Sequence, residues 1–121
     1  MTELEVYLGL PASFDVQCRN RVTRTPLGIG DLLATDTLSG KVWRGQDQSP
    51  LFTFTPIWFT NGATQNGYDQ GQITLPISAA QSVLLEANGE FLLTAYTTRG
   101  GQTWPIWEGR MRCYPQPGAA T

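Results

Sequence analysis

The chain contains no histidine. Ser-His-Asp and Cys-His nucleophile systems are therefore excluded, because both need an imidazole to take the nucleophile's proton, and so are His-ligated metal sites. Ten Asp and Glu remain. A glycosidase pair would require two of them about 5–10 Å apart across a cleft, but they scatter over positions that read as strand faces and turns, as solvated surface acids do. Asp69 with Asp47 or Asp31 offers oxygens for Ca²⁺, yet no DxDxDG loop concentrates them. Gly28-Ile29-Gly30-Asp31 and Arg99-Gly100-Gly101 lack the GxGxxG and GxxxxGK spacings that cradle phosphates, and read as turns. Cys18 and Cys113 belong to no CxxC or Cys/His cluster; they read as two buried reduced thiols, with a long-range Cys18–Cys113 bridge left open if their strands meet. The expectation is a non-enzymatic chain with no catalytic residue, cofactor or metal.

Recognition chemistry is better supplied. Seven of the eight basic residues are Arg, which favours the planar, bidentate contacts of protein interfaces. Arg19, Arg21 and Arg24 form a local cluster able to meet phosphate or an acidic neighbour, or to solvate a strand end. A net charge of −2 argues against nonspecific nucleic-acid binding through a basic field. Four Trp and four Tyr invite stacking on sugar rings, although Trp43 or Trp58 reads first as a core aromatic. Trp104 and Trp107 flank Pro105-Ile106, so on a regular strand they point to opposite faces, and at least one should lie near the surface unless a partner covers it. Interface contact, core or edge packing and glycan stacking are all open for this pair.

Positioning these side chains falls to 121 residues, one domain by size and long enough to bury roughly two-thirds of its unfolded surface. No window approaches the roughly 18 apolar residues of a membrane helix, and MTELEVYLGL carries two Glu and no basic residue, so neither signal peptide nor anchor is expected. Leu4, Val6 and Leu8 alternate with polar or aromatic neighbours in a first strand that Pro11 ends, and Phe14, Val16 and Cys18 form a second. Residues 20–35 read as a long connection in which Leu27, Ile29, Leu32 and Leu33 tuck against the body. Residues 36–44 follow as a strand with Leu38 and Val42 facing one way, Lys41 and Trp43 the other. Residues 51–59 are apolar on both faces, so they are buried on both sides or meet another subunit, and Pro56 places them at an edge or bulge. Residues 61–70 form a polar Gly/Asn loop.

The period switches twice within residues 71–96. Ile73, Leu75 and Ile77 alternate; Ala80, Val83, Leu84 and Ala87 recur at helical spacing; Asn88-Gly89 suits a helix C-terminus; Phe91, Leu93 and Ala95 alternate again. A last strand over 103–114 is interrupted near Glu108-Gly109, where a bulge would let Ile106 and Met111 both reach the core. About seven short strands with one short helix before the penultimate strand predict an all-β, antiparallel Ig-like β-sandwich over 1–114, with 115–121 an extended or disordered tail. Residues 88–93 then sit where immunoglobulin domains carry Gly-x-Tyr-x-Cys, with Phe91 for the corner tyrosine and Leu93 for the cysteine.

In order and spacing, Asp36-Thr37-Leu38-Ser39-Gly40-Lys41-Val42-Trp43-Arg44-Gly45, Gly71-Gln72-Ile73-Thr74-Leu75, Ala79-Ala80-Gln81-Ser82-Val83-Leu84-Leu85, Gly89-Glu90-Phe91-Leu92-Leu93 and Trp107-Glu108-Gly109-Arg110-Met111-Arg112-Cys113 resemble a family of small Ig-like sandwiches in tailed-bacteriophage structural proteins. That family includes the N-terminal domain of upper baseplate proteins. The resemblance implies a virion structural protein, assembled in the bacterial host cytoplasm, that binds other virion proteins and forms a homo-oligomer within the particle. No nucleic-acid or membrane partner is implied. Ending at Thr121 without a fibre-forming extension, the chain suits a tail or baseplate, neck or capsid-decoration place alike. Trp104, Trp107, Arg19, Arg21 and Arg24 are the expected interface residues. The alternative is a glycan- or host-receptor-binding module using Trp104 or Trp107 with the 61–70 loop.

Overall fold

Uninterrupted period-two alternation becomes strand in the computed structural model, which describes residues 2–20, 22–28, 30–33, 35–44, 49–61, 65–66 and 70–115. The strands are β1 (Thr2–Tyr7), β2 (Ala12–Gln17), β3 (Thr37–Trp43), β4 (Phe52–Phe54), β5 (Ile57–Trp58), β6 (Thr60–Asn61), β7 (Gln65–Asn66), β8 (Gln72–Ile77), β9 (Glu90–Arg99) and β10 (Gln102–Tyr114). A one-turn helix, α1 (Ala79–Ser82), lies between β8 and β9. One sheet has the order β1-β10-β9-β3-β4 and a second the order β2-β8-β5, while β6 and β7 pair separately. An all-β fold in two sheets with a short helix before the penultimate strand is what the periodicity predicts. Residues 116–121, Ile29, Arg21 and parts of the 61–70 loop lie outside the described residues.

The five-stranded sheet is mixed, not antiparallel throughout. β1 runs parallel to β10, with Thr2 opposite Gly109 and Tyr7 opposite Tyr114. The short link after β1, turning through Gly9 at φ 82°, feeds β2 into the other sheet, and that leaves β1 free to take the edge of the last strand. Such a pair joins distant parts of the chain and needs no local connection. The two-faced apolar segment over 51–59 is likewise two strands. Pro56 has no N–H for a ladder, and there the chain leaves β4, at one edge of the first sheet, for β5 at one edge of the second. Phe54 then faces the core from one sheet and Trp58 packs on it from the other.

Between the sheets the core is apolar. Ile73, Leu75 and Ile77 of β8 meet Val42, Phe91, Leu93, Ala95, Met111 and Cys113, all at most 3% exposed. Gly40 is buried opposite Phe54, whose ring carbons Cε2 and Cε1 would lie 2.6 and 2.8 Å from an added Cβ. The α1 turn buries a different side from the one its spacing predicts: Ser82 and Leu85 are inside, whereas Val83 and Leu84 are 59% and 50% exposed and Ala80 and Ala87 face solvent. A single turn is aimed by its caps more than by its apolar stripe. Ser78 and Gln81 form a capping box, and Gln81 Nε2 also donates to the Thr53 carbonyl at 2.9 Å, fixing the turn against β4. Ser82 enters the core satisfied, its hydroxyl donating to the Ala79 carbonyl at 2.8 Å. Asn88 then adopts φ 65° and donates its N–H to the Cys113 carbonyl, binding the corner to the last strand.

Candidate functional site

Two of the expected interface residues, Arg19 and Arg24, converge where β2 leaves its sheet. Just past β2, Arg19 bridges to Pro26, and the chain between them closes as a tight loop. Asn20 is its organiser: its backbone accepts from Arg24 N–H and donates to Thr25 C=O, while its Oδ1 accepts from the N–H groups of Val22 and Thr23 at 2.9 and 3.0 Å. This is the Asx geometry that short polar side chains impose on turns. Arg24 takes φ 62°, and its carbonyl accepts from Arg19 Nη1 at 3.1 Å. Both guanidinium groups are exposed, and among the described residues neither forms an ion pair. At the tip Val22 is 89% exposed. Arg21 lies in the same loop but outside the described residues.

Opposite this loop β10 bulges. Pro105 pairs Tyr96 and Trp107 pairs Ala95, so Ile106 is the extra residue, three positions ahead of the expected interruption at Gly109. The expected consequence holds, with Ile106 and Met111 3% and 1% exposed. The freed Ile106 carbonyl accepts from Arg19 N–H at 3.2 Å, stitching the two sheets together at this edge. The bulge also changes where the tryptophans point. Trp104 opposes buried Thr97 and Trp107 opposes buried Ala95, so both project from the inner side of the sheet and pack half-buried against the core, not on opposite faces. Trp107 lines a half-open cleft of about 600 Å³ with Ile106, Glu108, Asp15, Arg19 and Arg24. Trp104 does not reach it.

Trp104 instead helps close one end of the sandwich around an ion pair that local sequence patterns do not reveal. Arg99 Nε and Nη2 donate to Asp36 Oδ1 and Oδ2, both at 2.7 Å, and the Asp36 side chain is fully buried. Leu33 N–H also donates to Asp36 Oδ2, Arg99 Nη2 reaches the Asp31 carbonyl, and the guanidinium lies 5.7 Å from the Trp104 ring centroid. Hydrogen bonding from Arg99, working against desolvation, holds the Asp36 carboxyl below the ordinary carboxylate range. Asp36 therefore departs from the expected picture of solvated acids. Leu32 and Leu27 of the connection pack inward as expected, whereas Leu33 is 40% exposed.

Cys18 and Cys113 are both buried free thiols, and burial pushes the Cys18 thiol up to about 12. Among the described residues no group of three or more Cys, Asp or Glu is placed to hold a metal ion, and no helix is long and apolar enough to cross a membrane. The arrangement offers exposed cations, an exposed aliphatic tip and a half-buried indole beside a cleft. No protein-family model matches this chain, and no curated protein shows significant similarity to it.

Proposed function

We propose that this protein is a non-enzymatic assembly subunit of a tailed-bacteriophage virion, an immunoglobulin-like sandwich that docks on other structural proteins through the Arg19–Pro26 loop and the adjoining Trp107 cleft. One observation carries the docking role: Val22 stands 89% exposed beside Arg19 and Arg24, and the same loop walls the cleft that Trp107 lines. Interface energy concentrates in aromatic and Arg side chains that lose water on contact. The phage assignment rests on the sequence resemblance. The immunoglobulin-like reading is supported by strand order, since the third, fourth and last two strands of the sandwich share one sheet and β2, β8 and β5 the other, as in an immunoglobulin domain with one added strand, although β1 joins the last strand instead of β2.

A glycan-binding role would require an open aromatic face, and Arg99 already lies over the Trp104 ring. The test is charge reversal on the loop. Because Arg19 and Arg24 are exposed, Arg19→Glu/Arg24→Glu should melt as the parent does yet enter particles at least about tenfold less well. Normal incorporation of the double variant would refute the docking site, and specific binding of the parent chain to a glycan array would favour the recognition module.

A further inference from the structure

The Trp107 cleft is walled on one side by a strand edge that nothing among the described residues pairs. β2 lies at the border of its sheet with β8 as its only neighbour, and two bonds just beyond its end show which way its backbone groups point. Cys18 N–H donates to the Gly71 carbonyl at 2.7 Å, toward the β8 side, whereas Arg19 N–H donates to the Ile106 carbonyl at 3.2 Å, toward β10. Successive residues of a strand turn their N–H and C=O groups to alternate sides, so Ser13, Asp15 and Gln17 share Arg19's direction and present theirs away from β8. Pro76, opposite Ser13 in the register, has no N–H to offer and fits a pair that exchanges no bonds. This row of three donors and three acceptors borders the cleft, with Trp107 and Glu108 across from it and the Arg19–Ile106 bond closing one end.

We propose that this edge accepts an extended segment of a partner protein as an added strand, an inference that rests on the docking reading and names the form of its partner. Backbone donors and acceptors repeating about every 6.8 Å are matched by another extended chain. The other edges of the two sheets are guarded. β4 has three residues and Gln81 Nε2 already donates to its Thr53 carbonyl, β5 has two residues, and β1 carries Glu3 and Glu5. β2 has six residues and a single charge, Asp15, whose carboxylate accepts from Thr74 Oγ1 at 2.6 Å. A half-open cleft of about 600 Å³ admits a few residues of one extended chain, not the rim of a second sandwich, so the occupant is a segment and not a copy of the folded domain. Its inward side chains are apolar, because Leu4, Phe14 and Trp107, on the three strands around this flank, pack on the core yet are only half-buried. Arg19 and Arg24 are matched in number by Asp15 and Glu108 around the cleft, so main-chain bonds and apolar contact, ahead of net charge, recognise the segment.

A displayed library of octapeptides alternating apolar and polar residues, selected on the immobilised chain, tests this. The expected binders slow hydrogen exchange at the Ser13, Asp15 and Gln17 amides. Ser13→Pro, at an exposed position, removes one donor on the free side and none that faces β8, and should weaken binding at least about tenfold while Ser13→Ala leaves it unchanged. A second reading uses the parent chain and needs no variant to fold: N-methylation of every other peptide residue should abolish binding in one phase and spare it in the other. Absence of any binder, protection confined to β1, β4 or β5, or indifference to both Ser13→Pro and the phase of N-methylation overturns the proposal. So does a dimer of the free chain in sedimentation that Ser13→Pro dissociates, since the edge would then belong to a second copy. Entry of the parent chain into particles is read separately: a chain that binds such peptides yet never joins a particle keeps the strand site and loses the assembly role.

Discussion

Removing a carboxylate from water costs several kcal/mol unless its oxygens are matched, and Asp36 meets that demand with two guanidinium nitrogens and the Leu33 amide. Asp36→Ala should lower stability by about 2 kcal/mol, toward the lower end for a buried ion pair because the Arg99 side chain is 38% exposed and partly screened. The pH dependence has a definite sign. Asp36 has a lowered folded pKa, so its contribution is full above the ordinary carboxylate value of 3.8 and is lost as pH falls through the lower folded value. Melting followed from neutral pH into that acid range should show the parent losing this increment and Asp36→Asn lacking it throughout. Nothing near Asp36 in sequence announces the pair, because Arg99 lies 63 residues away and the two meet only when β3 and β9 align. The cysteines were easier to read, since each sits among alternating apolar residues. Cys18 and Cys113 should resist thiol reagents at pH 8 in the native chain, Cys18 with its thiol held up to about 12, and both should label fully after unfolding without reductant. Recovery of no free thiol would establish a bridge.

Strands with clean alternation were legible as elements, and β8, β9 and β3 bury the residues their period selects. Two features escaped for the same reason: local period does not encode what a neighbouring element imposes. The α1 turn is too short for its apolar stripe to choose a face, and the Gln81 bond to Thr53 chooses it instead. The bulge at Pro105–Trp107 is displaced from the glycine that suggested one, because proline cannot serve the ladder and Ile106 turns its carbonyl to Arg19. That displacement brings both tryptophans to the inner side of the sheet. Gly40 gives the sharpest test of packing between elements. Gly40→Ala would press a methyl into the buried Phe54 ring and should cost about 1–3 kcal/mol by chemical denaturation, with part of the loss recovered when Phe54→Leu makes room. An unchanged midpoint for Gly40→Ala would show that β4 moves aside freely.

For the whole molecule, the count of strands and the place of the helix predict two facing sheets, but the parallel β1–β10 pair is a contact between distant ends of the sequence that no turn residue marks. Function follows the same division. The Arg19–Arg24 cluster is visible as a run of charge, while its meeting with Trp107 depends on the loop that Asn20 closes and on the bulge opposite it. The free edge of β2 depends on which strands pair and which do not, and no local pattern marks it. We propose on this basis a chain whose work is done at its surface by contact with other proteins. The most direct measurement of the proposed virion role is the copy number of the chain in purified tailed-phage particles from cells that express it, parent against Arg19→Glu/Arg24→Glu, by quantitative mass spectrometry across a density gradient. The account predicts that the parent co-migrates with particles at a constant ratio to the major structural proteins and that the double variant, folded normally, stays in the soluble fraction. A parent chain found only in the soluble fraction, or a double variant packaged at the parental ratio, would contradict it.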